Sequence, residues 1–575
     1  MKDTIENLIK EALKSLGIEA RKFVIEHPTD ISHGDYSTNV GIVTKRGHEI
    51  KAFLEQHLPK GVEKIELESG FINFYLSKEF FADSLGEIIE KGESFGKNNR
   101  LKGKKVMVEY TDPNVMKPFH IGHLMSNTIG ESLSRIIEWE GAGVIRANYY
   151  SDTGLNIAKA VWGMKEKTNE LPEDSSNNSE KAKFLGSCYV LGVQQSTANP
   201  EIERETIEIN KKIFDRSDNE INGLYDLGKK WSLEYFTELY TRLGSSFDWL
   251  VGESEVVSEG KELVLEFLKK GIFEESEGAI IFRGEKYGPK LHTRVFINKE
   301  GLPTYEAKEI GLTKRKFEEY KLDQSIVITG NEQNEYFKVV LEAMRQAIPE
   351  AAEITKHFSH GMLRLPTGKM SSRTGDVITA EVLIDQVKKV IEEKGNKATD
   401  DIAIGAIKYT ILKQGIGNDI IFDFDKSIST EGDSGPYLQY TCARTNSLLE
   451  KAKNPSLSAQ AGQPSPWQGR EKLSPPDKGE SEGVRTIERL LYRFPEIVER
   501  AGEEYAPQLI TTYLIELSSA FNNFYAHEQV IPPSGLGRAG SDSPETPYRL
   551  AIVKAFNIII KNGLSILGIP TPERI

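Results

Sequence analysis

Lys105-Val106-Met107-Val108-Glu109-Tyr110, followed shortly by Lys117-Pro118-Phe119-His120-Ile121-Gly122-His123, is the stretch that decides the fold. The first six residues read as a short apolar strand. From His123 to Glu140 an apolar stripe (Leu124, Ile129, Leu133, Ile136, Ile137) recurs at helical spacing, and Gly141 and Gly143 stop it. Val144 to Tyr150 reads as a second strand. Strand, helix and strand in that order open a parallel sheet, and ligands of such sheets sit outside the carboxyl ends of the strands. The two histidines fall at that end.

His120 and His123 flank the start of a helix, whose unpaired N–H groups and dipole favour anions. Gly122 between them lets a planar base or ribose approach the backbone with no Cβ in the way. Lys117 lies within reach of a phosphate. Alone, a His-x-x-His pair reads as two histidines capping a helix. Far downstream, however, the chain carries Gly368-Lys369-Met370-Ser371-Ser372-Arg373. A cationic, donor-rich loop of this kind can close over a triphosphate and stabilise charge on a departing pyrophosphate. Alone it would read as a solvated basic turn. Together, the two segments point to attack of a carboxylate on the α-phosphate of ATP, with His120, His123, Lys117 and Lys369 catalytic. Gly122, Met370, Ser371, Ser372 and Arg373 complete the nucleotide site alongside the histidines.

Length and composition set the frame. At 575 residues the chain is too long for one core. Hydrophobic content of 38% and charged content of 28% are ordinary for a globular protein, and no apolar run is long enough to span a bilayer. Ile5, Leu8, Ile9, Ala12, Leu13 and Leu16 share one helical face, which argues against a signal peptide. Two cysteines, Cys188 and Cys442, offer neither a disulfide framework nor a zinc site. The expected compartment is the cytoplasm, with no membrane partner. A net charge of -13 argues against indiscriminate nucleic-acid binding but leaves room for a localised basic track.

Residues 1–100 mix helix and strand, with a strand at Arg21 to Ile25 and a clear alternation at Phe71 to Leu76. The polar run Asn98 to Lys104 closes that part. The segment from about 155 to 290 reads as a helical, charged insertion within the nucleotide-binding fold. Strand-like segments return at Arg294 to Ile297 and Ser325 to Ile328, and beyond 376 the pattern is helical. Asn454 to Gly483 and Pro532 to Pro547, rich in Pro, Ser and Gly, read as loops.

The chain resembles the arginyl-tRNA synthetases nearly end to end. His33-Gly34-Asp35-Tyr36-Ser37-Thr38-Asn39 and Gly70-Phe71-Ile72-Asn73-Phe74 are similar to that family's N-terminal module, which contacts the tRNA elbow. Val108 to Asn114, running into the histidine motif, resembles its first strand and loop, and Asn148 to Gly154 its second. Gly435-Pro436-Tyr437-Leu438-Gln439-Tyr440 with Ala443-Arg444 looks like the opening of its anticodon-binding domain, and Leu567 to Ile575 like its C-terminus. The resemblance implies a multidomain α/β fold: an α+β N-terminal module (1–100), a class I Rossmann-like parallel-sheet catalytic domain (101–385), a helical connector (386–434) and an all-α anticodon-binding bundle (435–575).

It also implies the chemistry. Arginine and ATP give arginyl-adenylate and pyrophosphate, with Mg²⁺ on the phosphates and no zinc, and a tRNA hydroxyl then takes the arginyl group. A guanidinium is planar, always charged and forked, so selecting it calls for carboxylates. By resemblance Tyr305 and Glu309 line the guanidinium end with Gln333 nearby, while Glu109 and Asn114 hold the α-amino and carboxylate end. Tyr437, Tyr440 and Arg444, and the cluster Phe521, Phe524 and Tyr525, are candidates to meet tRNA bases, which stack on aromatic or Arg faces. A monomer is the family expectation. The chain departs from the usual pattern at Ser372, where a second lysine is common, and at Glu309, where Asp is common. A non-catalytic tRNA-binding paralogue is the alternative from another class.

Overall fold

A computed structural model describes residues 1–19, 22–366, 378–452, 482–528, 530 and 546–573. The N-terminal module pairs the helix Lys2–Ser15 with an antiparallel sheet of β1 (Ile25–Glu26), β2 (Tyr36–Thr38), β3 (Val62–Glu68) and β4 (Phe71–Leu76), in the order β1-β2-β4-β3. The turn between β3 and β4 holds Ser69 and Gly70 at φ 51° and 85°. Two successive left-handed residues match the twist of a tight hairpin, which is why Gly stands there. Ile5, Ile9, Ala12 and Leu13, the stripe read from the sequence, are buried against the sheet. The expected strand at Arg21 to Ile25 is seen only from Ile25; residues 20 and 21 lie outside the described residues.

The parallel sheet is built from β5 (Lys105–Glu109), β6 (Gly143–Tyr150) and β7 (Trp249–Gly252), then, after an antiparallel side sheet of β8 (Glu274–Ser276), β9 (Ala279–Arg283) and β10 (Thr293–Ile297), from β11 (Gln324–Gly330) and β12 (Thr355–His360). Its order is β12-β11-β5-β6-β7 and every pairing is parallel. The chain leaves β5 in one direction through β6 to β7, then returns on the other side through β11 to β12. The reversal falls between β5 and β11, and the crevice at their carboxyl ends is where such folds bind ligands. The helix Ile121–Trp139 crosses over from β5 to β6 and is buried along most of its length.

Between β6 and β7 run the helices Leu155–Glu166, Asn178–Ala198, Pro200–Asp215 and Asn219–Leu243. The first two cross in close contact: a Cβ on Gly163 would lie 2.1 Å from the Cys188 carbonyl oxygen, and one on Gly192 2.0 Å from that of Lys159. The segment from 155 to 290 is therefore less uniformly helical than its charge pattern implies. It contains β7, a strand of the parallel sheet, and two strands of the side sheet.

Apart from a short parallel pair, Leu363–Arg364 with Ile420–Ile421, the remainder is helical, from Ala380–Glu393 and Asp400–Leu412 through Gly435–Ala452 to Thr546–Ile566. Buried Lys408 donates to the carbonyls of Leu243 (2.6 Å) and Gly568 (2.8 Å), tying the insertion to the C-terminal segment. Gln439 likewise bridges the Asp401 and Pro570 carbonyls, at 2.9 and 2.8 Å. The N-terminal module docks on this bundle: Asp35 pairs with Arg489 (2.6 Å), and Glu496 accepts from the Tyr36 hydroxyl (2.5 Å) and faces His27 Nε2 at 3.1 Å. The loops expected at 454–483 and 532–547 fall almost wholly outside the described residues.

Candidate active site

His120 is the N-cap of the helix Ile121–Trp139. Its Nδ1 accepts the backbone N–H groups of Gly122 (3.1 Å) and His123 (3.3 Å), while His123 Nδ1 accepts that of His120 (3.3 Å). The rings stack with centroids 3.6 Å apart, tilted by 19°. A nitrogen that accepts from a backbone N–H carries no proton of its own, so in both neutral rings the proton sits on Nε2, free to donate outward. Burial, reinforced by the Lys117 charge, brings His120 down to about 4, and burial and the neighbouring His120 hold His123 well below the ordinary histidine value. Both are neutral donors at physiological pH. The Lys117 ammonium lies 4.5 Å over the ring of Tyr189, on the insertion helix.

The backbone between β5 and this helix is held in a costly shape. Thr111, Asp112 and Met116 have φ of 82°, 42° and 59°, in the left-handed region that residues other than Gly rarely adopt. Tertiary contacts impose it. Thr111 N–H donates to Ser126 Oγ (2.9 Å), Met116 N–H to Ser232 Oγ (2.8 Å), and Asp112 Oδ1 accepts from Tyr149 N–H (2.8 Å). Asn114 bridges to Ser151, which extends the β5–β6 pairing into the loops.

Beside this loop lies a buried acid set. Glu109 ends β5 and is ion-paired with Lys316, both almost fully buried. Glu309, two turns before Lys316 on the helix Tyr305–Tyr320, is also buried and has no hydrogen-bonding or ion-pair partner among the described residues. Burial and the Glu109 charge push it up to about 8, against the pull of Lys316. Asp112 is likewise raised, by burial and Glu109. Glu253 is held by Lys308, which also donates to Thr153 Oγ1 at 3.0 Å. The Tyr149 hydroxyl, buried among Glu253, Glu309 and Glu109, has no partner either. An unpaired carboxylate inside a protein costs several kcal/mol unless it is protonated or meets a cation. The set has the chemistry to receive a planar, forked, permanently charged group.

Tyr305 opens the Glu309 helix, half-exposed, with the Lys308 ammonium 4.3 Å from its ring centre, and its carbonyl accepts from the Tyr336 hydroxyl (3.2 Å). Gln333 is exposed in the turn after β11. The structure thus gathers His120, His123, Gly122, Lys117, Glu109, Asn114, Tyr305 and Glu309 around the carboxyl ends of β5, β6 and β11, with Gln333 at the rim. Lys369, Met370, Ser371, Ser372 and Arg373 lie outside the described residues. The chain re-emerges beside the histidines: Ile121 N–H donates to the Ile378 carbonyl (3.0 Å) and Ala380 N–H to that of Phe119 (2.9 Å).

The family model for class I (R) tRNA synthetase catalytic domains matches residues 85–424, that for the arginyl tRNA synthetase N-terminal domain 3–76, and that for the DALR anticodon-binding domain 438–575. The chain belongs to the arginyl-tRNA synthetases. An arginine–tRNA ligase of Treponema denticola is 33% identical over 88% of this chain and 85% of its own length. That of Halothermothrix orenii is 30% identical over 100% of this chain and 99% of its own. In fold the chain is similar to Thermus thermophilus arginyl-tRNA synthetase, with TM-score 0.77, 24% identity and full coverage of both chains. These matches support an arginine–tRNA ligase, an enzyme that uses ATP, rather than a non-catalytic paralogue.

In the anticodon-binding domain of this synthetase, Tyr437 and Arg444 meet at Asn522: its amide donates to the Tyr437 hydroxyl (2.8 Å) and its carbonyl accepts from Arg444 (3.3 Å). Tyr440 is half-buried on the same helix. Phe521 and Phe524 are fully buried in the bundle core, Phe521 stacked on Phe556, so neither offers a ring face to a base; Tyr525 is exposed. Sequence reading passed over Asp112, Tyr149, Glu253, Lys308 and Lys316. Asp112 and Tyr149 lie inside the quoted motifs without having been singled out, and Lys316 stands seven residues beyond Glu309 on one helical face. Among the described residues no helix is long and apolar enough to cross a membrane, and no group of three or more His, Cys, Asp or Glu is set to hold a metal ion.

Proposed function

We propose that the cleft joins L-arginine to its tRNA in two steps, with the ATP phosphates on the histidine side and the amino acid on the acid side. The observation that carries this division is Glu309, a buried carboxylate unpaired among the described residues and next to Glu109, in a fold of this family. Glu309, with Tyr305 and Gln333 at its edge, receives the guanidinium; Glu109 and Asn114 receive the α-amino and carboxylate end. A bidentate guanidinium–carboxylate contact is strong, and a neutral side chain of equal size would leave Glu309 unpaired, which explains selection without a second, hydrolytic site.

The arginine carboxylate is already ionised and needs no protein base. It attacks the α-phosphorus of ATP, the bond to the bridging oxygen breaks, and pyrophosphate leaves with that electron pair. His120 and His123 donate through Nε2–H to the phosphate oxygens, and Lys117 adds positive charge. Lys369, Met370, Ser371, Ser372 and Arg373 act on the triphosphate, and the chain that follows them is tied to Phe119 and Ile121. Mg²⁺ arrives on the nucleotide as part of the substrate. A ribose hydroxyl of the terminal adenosine then attacks the activated carbonyl and AMP leaves. Tyr437, Tyr440 and Arg444 offer a surface for the anticodon. The enzyme works in the cytoplasm as a monomer.

Glu309→Gln tests the reading. It should raise the KM for arginine by about 100-fold or more, the effect of losing a buried charge-assisted bond, and leave that for ATP within about twofold. An unchanged arginine KM would refute the assignment.

A further inference from the structure

Lys316 has been given no part in holding substrate, yet it is a buried cation in direct contact with Glu109. It lies on the helix Tyr305–Tyr320, is 3% exposed, and its ammonium is ion-paired with Glu109. Glu109, Glu309 and Asp112 all bear on its charge; burial opposes that charge, and the carboxylates outweigh burial and hold it above the ordinary lysine value. The other charged and titratable groups facing this cluster are Glu253, itself held by Lys308, and the hydroxyls of Tyr149 and Tyr336. Apart from Lys316, Glu109 has no hydrogen-bonding or ion-pair partner among the described residues.

A buried ion pair is a poor way to gain stability, since an apolar pair of similar volume does as well or better. Its presence here needs another reason, and the geometry supplies one. Glu109 ends the central strand at the crevice, and a lone carboxylate there would be free to swing between the two ends of the pocket. Lys316 reaches it from two helical turns below Glu309, fixes it at the strand end and leaves Glu309 unpaired at the other. We propose that Lys316 is a positioning residue for arginine: it holds Glu109 in place for the α-ammonium group, and so separates the two carboxylates into two subsites. The proposal rests on the reading that Glu109 and Glu309 hold arginine.

Arginylation measured with saturating tRNA, for Lys316→Met, Lys316→Arg, Glu109→Gln and the double variant K316M/E109Q, separates the possibilities. Lys316→Met should raise the arginine KM by about 100-fold while kcat and the ATP KM move by less than about threefold, because a stranded buried partner weakens ligand binding before chemistry. Lys316→Arg should restore at least about tenfold of that loss, since it keeps the charge. The double variant should match Glu109→Gln within about threefold, because Lys316 acts through Glu109. If Lys316→Met alone fails to fold, the double variant, which strands no charge, carries the test by the same comparison. An arginine KM unmoved by Lys316→Met, or a double variant about tenfold worse than Glu109→Gln, would overturn the proposal. Arginine KM values unmoved by Glu109→Gln and Glu309→Gln would instead overturn the site reading beneath it.

Discussion

His120 and His123 cap one another: each Nδ1 accepts the other's backbone N–H at 3.3 Å, and the rings stack face to face between them. One helical turn therefore fixes two rings, two tautomers and two outward donors at once. The structural and chemical roles of His120 are separable, because Asn is a favoured N-cap whose side-chain oxygen takes the place of Nδ1 but carries no donor where Nε2 stands. His120→Asn should keep stability within about 1 kcal/mol of the parent. It should lower arginine-dependent ATP–pyrophosphate exchange by about 100- to 1,000-fold, as loss of a donor to developing charge does. Unchanged exchange would remove His120 from the phosphate site.

Arginine binding should release a proton. Glu309 stands near 8 in the free site, and a bound guanidinium favours its ionised form. Below that value each binding event must expel a proton, so affinity rises with pH by about tenfold per unit and levels off above 8. The sign for stability is opposite: without arginine, the protonated group's contribution to the fold is lost as pH rises through 8. Titration calorimetry in two buffers of different ionisation heat measures the release, and Glu309→Gln should abolish it. A dissociation constant flat between about pH 6 and 8 would contradict the assignment.

The segment after the Lys369 motif is stitched to the histidine motif by Ala380 N–H on the Phe119 carbonyl. Ala380 is the first residue of its helix and Thr379, at φ -81° and ψ 157°, already has a conformation suited to precede proline. Ala380→Pro therefore deletes that one bond while the helix start is kept. It should lower melting stability by only about 1 kcal/mol. The rate of adenylate formation should fall by about tenfold or more, with the arginine dissociation constant unmoved, because the placing of Lys369 enters only the reacting complex. An unaltered rate would show that the stitch does not help to place Lys369.

The Asp35–Arg489 pair, with Tyr36 and His27 on Glu496, joins the N-terminal module to the bundle. Removing one partner of a buried pair strands the other, so Asp35→Ala should cost about 3–5 kcal/mol in chemical denaturation. The tRNA KM should rise while the arginine and ATP KM values hold, since only the module's orientation changes. Full retention of stability would mean that the docking is held elsewhere.

The sequence discloses those parts of the fold that are buried on one regular face. The helix Ile121–Trp139 and strands β4, β5 and β6 announce themselves by periodicity. β7 and β12 do not, because they are sheet edges: Trp249-Leu250-Val251-Gly252 is four residues long, and Thr355 to His360 is mostly polar. Phe521 and Phe524 look like base platforms by spacing yet fill the core, for a helical stripe does not say which face is wet. Glu309 and Lys316 share a helix, but only the sheet brings Glu109 and Asp112 to them. That acid set is a tertiary fact.

The most direct measurement is charging of total tRNA by the purified protein with each amino acid in turn, given ATP and Mg²⁺. Charging with arginine alone, lost in Glu309→Gln at subsaturating arginine, is the predicted result. Charging with another amino acid, or tRNA binding with no charging at all, would contradict it.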